Sequence, residues 1–313
     1  MDLGVSYIPS HLPDHLAADM RHLADIGCTE VLFAIQENHL DTLTGALTYG
    51  PAIARDHGLR PYVVIWGYAN TFGGGRMSRV MLEHPELWRV ARDGSVAPLA
   101  CLNNPLLGEH FGRITVRCRE AGFAGLFIDE PTRQECFCAH CRAAFGGDLR
   151  HANPEDVDDF QRATVRAYIA DICRRVKAVD PALTTITCLM PIDRDTWPAV
   201  AEVDGLDVLG TDPYWLLPFF RMTLGDAVAD TQAIKALCDG HGKQSQVWLQ
   251  GWRIPAGREE EVYAGGRRLA EVGCDSFYTW SYRGGLGTNE ASDDPAQVWA
   301  AVERLYRELS GRA

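Results

Sequence analysis

Short apolar runs alternate with longer amphipathic stretches along the chain. Eight of these runs are rich in β-branched or aromatic residues and end in polar, glycine or proline residues, a pattern that predicts strands. The predicted strands are Val5–Ile8, Val31–Ile35, Tyr62–Trp66, Gly125–Ile128, Thr184–Leu189, Leu206–Leu209, Val247–Leu249 and Ser276–Trp280. The segments between them carry apolar residues at helical spacing, as Val165, Ile169 and Ile172 do.

Strands that alternate with helices predict a parallel sheet with right-handed crossovers. Eight such units predict a (β/α)8 TIM barrel, and a final helix after Pro295 follows the eighth strand as that barrel requires. An open doubly wound sheet is the alternative, but no glycine-rich dinucleotide-binding turn follows the first strand. No linker or low-complexity tract divides the chain, so we expect residues 1–313 to form one catalytic domain.

Two connections in this pattern are longer than the others. They follow predicted strands three and four, which begin at Tyr62 and Gly125. We therefore expect enlarged loops there, on the barrel face that carries catalytic residues. In the first of them, Gly73-Gly74-Gly75 is predicted to act as a hinge and not as a phosphate-binding loop.

Charge and composition argue against several classes of function. The formal net charge of the 313-residue chain is -12, whereas nucleic acids and anionic membranes are bound mainly through lysine and arginine. No apolar run reaches the ~18 residues of a membrane span, and no basic region followed by an apolar stretch marks a signal peptide. We expect a cytoplasmic protein whose ten cysteines remain reduced.

Polar and aromatic side chains collect at the carboxyl ends of the predicted strands, which converge on one pocket in a barrel. Carboxylates, amides and aromatic rings suit a carbohydrate, whose rings have apolar faces and hydroxyl edges. The predicted substrate-binding residues are Tyr7, Glu37, Trp66, Tyr214, Gln250, Trp280 and Arg283. The alternatives are core packing for the aromatic rings and loop scaffolding for Gln250 and Arg283.

The sharpest local signal is an apolar strand that delivers two adjacent carboxylates. Leu126-Phe127-Ile128 is followed by Asp129, Glu130 and Pro131. Adjacent strand residues point to opposite sides, so we expect one carboxylate to reach the pocket centre and the other to orient it or the substrate. Two carboxyls this close raise the pKa of one of them, as a general acid at neutral pH requires. The alternative is an acidic helix N-cap.

Three cysteines within six residues, Cys136, Cys138 and Cys141, predict a metal site. Cys101, in the other enlarged loop, is the best fourth ligand, and His140 is the alternative. Four thiolates leave no open coordination position, which indicates structural Zn²⁺. Unmetallated cysteines remain an alternative, whereas the spacing matches none of the usual iron–sulfur runs.

The order of these motifs resembles the catalytic barrel of glycoside hydrolase family 42 β-galactosidases and related glycosidases. The resemblance covers about residues 84–146 specifically and the rest of the chain only in architecture. It rests on His84-Pro85-Glu86-Leu87-Trp88, Arg92-Asp93-Gly94, Cys101-Leu102-Asn103-Asn104-Pro105, Asp129-Glu130-Pro131 and the Cys136-Phe137-Cys138-Ala139-His140-Cys141 run. It implies a glycosidase in which Glu130 is the general acid/base and the four cysteines hold structural zinc. It also implies homo-oligomers that assemble through the helical exterior.

The chain departs from that family at the nucleophile. The family has a glutamate at the end of strand seven, where this chain has Gln250, which cannot form a glycosyl ester. Asp212, at the end of strand six, is then the predicted second carboxylate, with Glu37 after it, for hydrolysis of a terminal sugar of a small glycoside. The alternatives are a substrate-assisted mechanism, with Asp129 orienting a 2-acetamido group beside Glu130, and a sugar-binding barrel without turnover. Asp193, in a turn-like segment, is left outside the predicted site.

Overall fold

Eight parallel strands close into a barrel in the computed structural model, which describes residues 1–71, 78–217 and 221–312. The described residues contain these eight strands and two others, numbered together in chain order: β1 (Asp2–Tyr7), β2 (Glu30–Ile35), β3 (Arg60–Ile65), β4 (Trp88–Val90), β5 (Val96–Ala100), β6 (Gly125–Ile128), β7 (Thr184–Cys188), β8 (Val208–Thr211), β9 (Gln244–Gln250) and β10 (Ser276–Trp280). Of the strands in the described residues, only β4 and β5 lie outside the barrel, as an antiparallel hairpin after β3. The predicted (β/α)8 fold is confirmed, and the predicted Gly73–Gly75 hinge lies outside the described residues.

Helices surround the barrel. They are α1 (Pro13–Asp25), α2 (Asn38–Asp41), α3 (Gly45–Asp56), α4 (Arg79–Glu83), α5 (Pro105–Ala121), α6 (Ala139–Phe145), α7 (Pro154–Val179), α8 (Trp197–Ala201), α9 (Leu224–His241), α10 (Glu259–Ala270) and α11 (Pro295–Leu309). α11 begins as predicted, and the Asp294 carboxylate accepts a hydrogen bond from the Gln297 backbone N–H. Among the described helices, none is long and apolar enough to cross a membrane.

The boundaries of several strands differ from the prediction. β9 begins at Gln244, three residues before the predicted start, because Gln244, Ser245 and Gln246 pair with β8 through their backbones. Hydrogen bonding of the main chain defines a strand, whereas the apolar pattern detects only its packed part. β8 is shifted by two residues for the same reason and ends directly before Asp212.

Barrel side chains alternate between two cores. One core lies inside the barrel and includes Leu32, Tyr62 and Trp248, while the other packs the strands against the helices and includes Val5 and Phe33. The pleat of each strand thus decides which strand-end residues point inward, toward the pocket, and which face the helices.

Gly4 allows a long side chain to cross the barrel interior. In the β1 ladders, Gly4 lies beside Tyr278 of β10 on one side and Glu30 of β2 on the other. The Tyr278 hydroxyl donates a 2.7 Å hydrogen bond to Glu30. A Cβ at Gly4 would lie 2.2 Å from Cζ of Tyr278, so only glycine leaves room for this ring.

Replacing Gly4 by alanine is expected to lower the free energy of unfolding by about 1–3 kcal/mol, because the Tyr278 ring must move out of a packed core. Gly240→Ala, in α9, is the matched control, since a Cβ there meets no atom within 4 Å. We expect the control to raise the free energy of unfolding by up to about 1 kcal/mol. Equal effects of the two substitutions in urea denaturation would contradict the packing argument.

Candidate active site

Three carboxyl groups meet at the carboxyl end of the barrel. Asp129 and Glu130 directly follow β6, and Asp212 directly follows β8. The Asp212 side chain is buried, and neither of its oxygens has a hydrogen-bond partner of ordinary geometry among the described residues. The Glu130 carboxyl is its neighbour, and the two groups perturb each other's pKa. Two carboxyls can form a hydrogen bond only when one of them carries a proton.

The backbone at Glu130 departs from strand geometry. Its φ is 32°, in the left-handed region that costs a residue with a Cβ roughly 1–2 kcal/mol. Because β6 ends at Ile128, Asp129 and Glu130 both lie beyond the strand, and the charge of Glu130 acts on Asp129. Strand alternation therefore does not apply to these two residues, and different roles for the two carboxylates remain a prediction.

Strained backbone is concentrated on this face of the barrel. Among the described residues, every non-glycine residue with positive φ lies in a loop that follows a barrel strand. These residues are Ala69 and Asn70 after β3, Glu130 after β6, Arg221 after β8, Arg253 after β9 and Arg283 after β10. Such strain persists only where surrounding contacts hold it, and it clusters at functional sites.

Burial raises the pKa of Asp129, Glu130 and Asp212 above the ordinary range of carboxyl groups. Repulsion from Glu130 raises the pKa of Asp129 and Asp212 further. Repulsion from Asp193 also raises the pKa of Glu130, while the hydrogen bond with Asp212 lowers it. The cluster therefore retains a proton at a pH where exposed carboxyls have lost theirs, as a general acid requires.

This cluster is expected to make stability depend on pH. A carboxyl whose pKa is raised by folding binds more protons in the native state, so stability falls as pH rises from its unfolded pKa toward its native pKa. Asp212→Asn removes one carboxyl of this kind and retains an amide N–H that can donate a hydrogen bond to Glu130. Its Tm should exceed that of the wild type at pH 8, with a difference that shrinks toward pH 4.

Asp239→Asn is the control for this stability experiment, because Asp239 is exposed on α9 and paired with Lys235. Calorimetry across this pH range checks the expectation. A Tm difference for Asp212→Asn that stays constant from pH 4 to pH 8 would contradict it.

Aromatic rings cluster inside the barrel, and one of them, Tyr214, lies near the carboxyl cluster. The Trp66 and Trp280 ring centroids are 5.5 Å apart, and Tyr214 meets Trp252 edge to face at 5.8 Å. All four rings belong to the inner core of the barrel, and the three tryptophans are partly exposed. The indole N–H of Trp252 is buried without an acceptor among the described residues. Trp252 lies two residues beyond the end of β9, at a strand end where a ring that stacks on a sugar is expected.

Tyr7 and Arg283 do not join this cluster. Tyr7 belongs to the core between barrel and helices, where its hydroxyl donates to Asp19 of α1 at 2.7 Å. Tyr282 donates to the other oxygen of Asp19, and the Arg283 guanidinium lies 3.4 Å from the same carboxylate. Both predicted substrate-binding residues therefore contact α1 and are withdrawn from the candidate site. The apolar alternation of Leu3, Val5 and Tyr7 indicates this placement.

Glu37 and Gln250 hold loops in place. The Glu37 carboxylate accepts hydrogen bonds from Ser78 and from the backbone N–H of Ala69 and Val80, all in the connection after β3. The Gln250 carbonyl accepts from the Leu216 backbone N–H at 3.1 Å, and its amide donates to the Trp252 carbonyl at 3.1 Å. Loop scaffolding, the alternative to substrate binding for Gln250, accounts for both halves of its amide group.

An ion pair that was not predicted lies next to Glu130. Asp193 is only 5% exposed and accepts a hydrogen bond from Arg133 Nε at 3.0 Å. Its carboxylate acts electrostatically on Glu130. In sequence, Asp193 follows shortly after the end of β7, as the other site residues follow their strands. This position was the only signal in the sequence that could have assigned Asp193 to the site.

The four predicted cysteine ligands lie together. Their sulfur atoms are all within 4.8 Å of one another, and Cys101 Sγ lies 3.4 Å from Cys141 Sγ and 3.5 Å from Cys138 Sγ. Four sulfurs around zinc at about 2.3 Å would be separated by roughly 3.8 Å, so the group fits a tetrahedral metal site. His140 is exposed and does not belong to this group.

The cysteine cluster joins the two enlarged loops. Cys101 follows β5, Cys136 and Cys138 lie after β6, and Cys141 is in α6. The Phe137 backbone N–H, in the loop after β6, donates to the Val90 carbonyl of β4 at 2.7 Å and so also links the two loops. A metal held here would fix the hairpin to the loop that begins with Asp129 and Glu130.

Comparison with solved structures reveals the same fold in several carbohydrate-active enzymes. A β-galactosidase from Halorubrum lacusprofundi superimposes with a TM-score of 0.73 at 17% identity, over 99% of this chain and 58% of that one. A catalytic mutant of a GH42 β-galactosidase from G. stearothermophilus gives 0.72 at 14% identity, over 99% and 57%.

The catalytic domain of a β-amylase from Paenibacillus polymyxa gives a TM-score of 0.67 at 9% identity, over 97% of this chain and 98% of that one. The chain thus spans less than two thirds of the two β-galactosidases and nearly all of the amylase domain. No protein-family model and no curated protein sequence matches the chain.

Proposed function

We propose that this chain is a glycoside hydrolase that removes a terminal sugar from a small glycoside, with Glu130 as the proton donor. The observation that carries the proposal is the proton-retaining carboxyl cluster at the carboxyl end of the barrel, with Tyr214 of the aromatic inner core near it. The likeness in fold to proteins titled β-galactosidases supports it. We further propose that residues 1–313 act as one catalytic domain.

Asp212 is the proposed second carboxyl group. Its carboxyl group and that of Glu130 perturb each other's pKa. The two carboxyls of a retaining glycosidase are roughly 5–5.5 Å apart, with the sugar between them. In this proposal the sugar separates Asp212 from Glu130, and the proton stays with Glu130, which faces the glycosidic oxygen. Asp129, next to Glu130 in the chain, orients or tunes the proton donor.

Substrate assistance is the second candidate mechanism. Gln250 stands where a nucleophilic glutamate was expected, and both halves of its amide are bound to loops. A 2-acetamido group on the sugar would replace the missing nucleophile, with Asp129 to orient it. The third candidate, a sugar-binding barrel without turnover, is favoured by the same observation at Gln250.

We also propose that Cys101, Cys136, Cys138 and Cys141 bind structural Zn²⁺. Their chemistry suits zinc because thiolates are soft ligands, and four of them leave no coordination position for a substrate. The ion would order the enlarged loops and take no part in the reaction.

A panel of chromogenic glycosides tests the proposed function. It should include gluco- and galacto-configured sugars, each with a 2-hydroxyl and with a 2-acetamido group. Turnover of hydroxyl sugars supports Asp212 as the second group, whereas turnover restricted to acetamido sugars supports substrate assistance. NMR of the first-formed anomer then distinguishes retention from inversion. Sugar binding without turnover on every substrate would overturn the proposal in favour of a binding protein.

A further inference from the structure

Asp193 holds the loop that carries Glu130. Its carboxylate accepts a hydrogen bond from Arg133 Nε at 3.0 Å. Arg133 also donates to the Ile192 carbonyl at 3.4 Å. These contacts tie the loop after β7 to the loop after β6, three residues beyond Glu130. They are placed to hold Glu130 in its left-handed conformation.

Arg133 has an inner and an outer side. On the outer side it binds Asp158 at 2.9 Å and Asp195 at 3.1 Å, which are 43% and 49% exposed. Arg162 of α7 pairs with the same two carboxylates. On the inner side its ion-pair partner among the described residues is the buried Asp193. The Arg133 cation thus lies between exposed carboxylates and the candidate active site.

The titratable groups that face Glu130 come from three loops. They are Asp129 from its own loop, Cys188 and Asp193 from β7 and the loop after it, and Asp212 and Tyr214 from the loop after β8. Asp193 is the one of these groups whose charge has an arginine partner among the described contacts. A change at Asp193 or Arg133 therefore alters the charge near Glu130 without touching the three-carboxyl cluster.

We propose that Asp193 is a positioning residue for Glu130, acting through Arg133 both on the conformation of the loop after β6 and on the charge beside the proton donor. This inference rests on the proposed function for its catalytic meaning. Asp193→Asn would loosen the loop and leave the Arg133 cation unbalanced on its inner side. Arg133→Gln would instead remove the positive charge and leave the negative charge of the Asp193 carboxylate without its arginine partner.

Two measurements test the proposal, one of them independent of turnover. Carbon-13 NMR of the Glu130 carboxyl, assigned by its loss in Glu130→Gln, follows its titration directly. We expect the midpoint to fall by roughly one pH unit in Asp193→Asn and to rise in Arg133→Gln, because the nearby charge changes in opposite directions. The alkaline limb of the pH profile of kcat/KM, measured on the glycoside that is hydrolysed fastest, should shift in the same direction as the Glu130 midpoint. In Asp193→Asn, kcat should also fall about tenfold with little change in KM.

Asp195→Asn is the matched control, since Asp195 binds the same arginine from the exposed side. Its Glu130 titration should equal that of the wild type. Equal shifts in Asp195→Asn and Asp193→Asn, or no shift in Asp193→Asn, would overturn the proposal. If Asp193→Asn does not fold, Arg133→Gln decides, and an unchanged Glu130 midpoint overturns it. Shifted titrations without turnover of any glycoside would refute the proposed function and leave the positioning role intact.

Discussion

Replacing Glu130 by glutamine is expected to lower kcat/KM by about 10²–10⁴-fold on glycosides whose leaving group needs a proton, because general acid catalysis contributes an effect of that size. The amide keeps the size of the side chain and a hydrogen bond with Asp212 but cannot deliver a proton. Glycosides with a strongly acidic phenol as leaving group need little protonation, so their cleavage step should slow far less. The ratio between the two substrate types is the diagnostic quantity.

The control for this substitution is Glu120→Gln, an exposed position at the end of α5. It should leave both substrates unaffected. Equal losses on the two substrate types in Glu130→Gln would indicate damage to the pocket instead of loss of the acid. Unchanged rates on both would remove Glu130 from the reaction.

Loss of zinc from the cysteine cluster should produce the second large effect. We expect one zinc per chain in the purified protein and none in Cys138→Ser, which lacks one of the four thiolates. Because metal binding contributes directly to the stability of the ordered state, chelation or this substitution should lower Tm by roughly 10 °C or more. Metal analysis together with calorimetry checks both quantities.

Cys118→Ala provides the comparison, since Cys118 is buried in α5 and outside the cluster. This substitution should lower the free energy of unfolding through lost packing, while the zinc content stays at one per chain. A wild-type protein that contains no zinc and is indifferent to chelators would contradict the proposed metal. A brown protein would point to an iron–sulfur cluster.

The barrel and the cysteine cluster could be predicted because their signals are local in sequence. Each strand and helix carries its own apolar period, and three of the four cysteines lie within six residues. Asp129 and Glu130 were found in the same way, from the apolar strand that precedes them. Loop conformation was not accessible, so the left-handed turn that brings Glu130 toward Asp212 could not be foreseen.

Side-chain partners that are distant in sequence account for the other differences. Asp193 meets Arg133 across 60 residues, and Tyr282 meets Asp19 across 263, so no local pattern reports either contact. Asp193 in particular resembles a solvated turn residue until its partner is known. Tyr7 is different, because the alternation along β1 already assigns it to the helical side.

The Gln250 contacts bear on how this chain could change over evolutionary time. A glutamate at this position could still accept from Leu216, but its second oxygen would face the Trp252 carbonyl, where the amide now donates. It would also add another negative charge near a cluster that already retains its protons through repulsion. A single Gln250→Glu substitution is therefore opposed by both neighbouring loops and by electrostatics. A carboxylate becomes tolerable at this position only if the loops that contact it change as well.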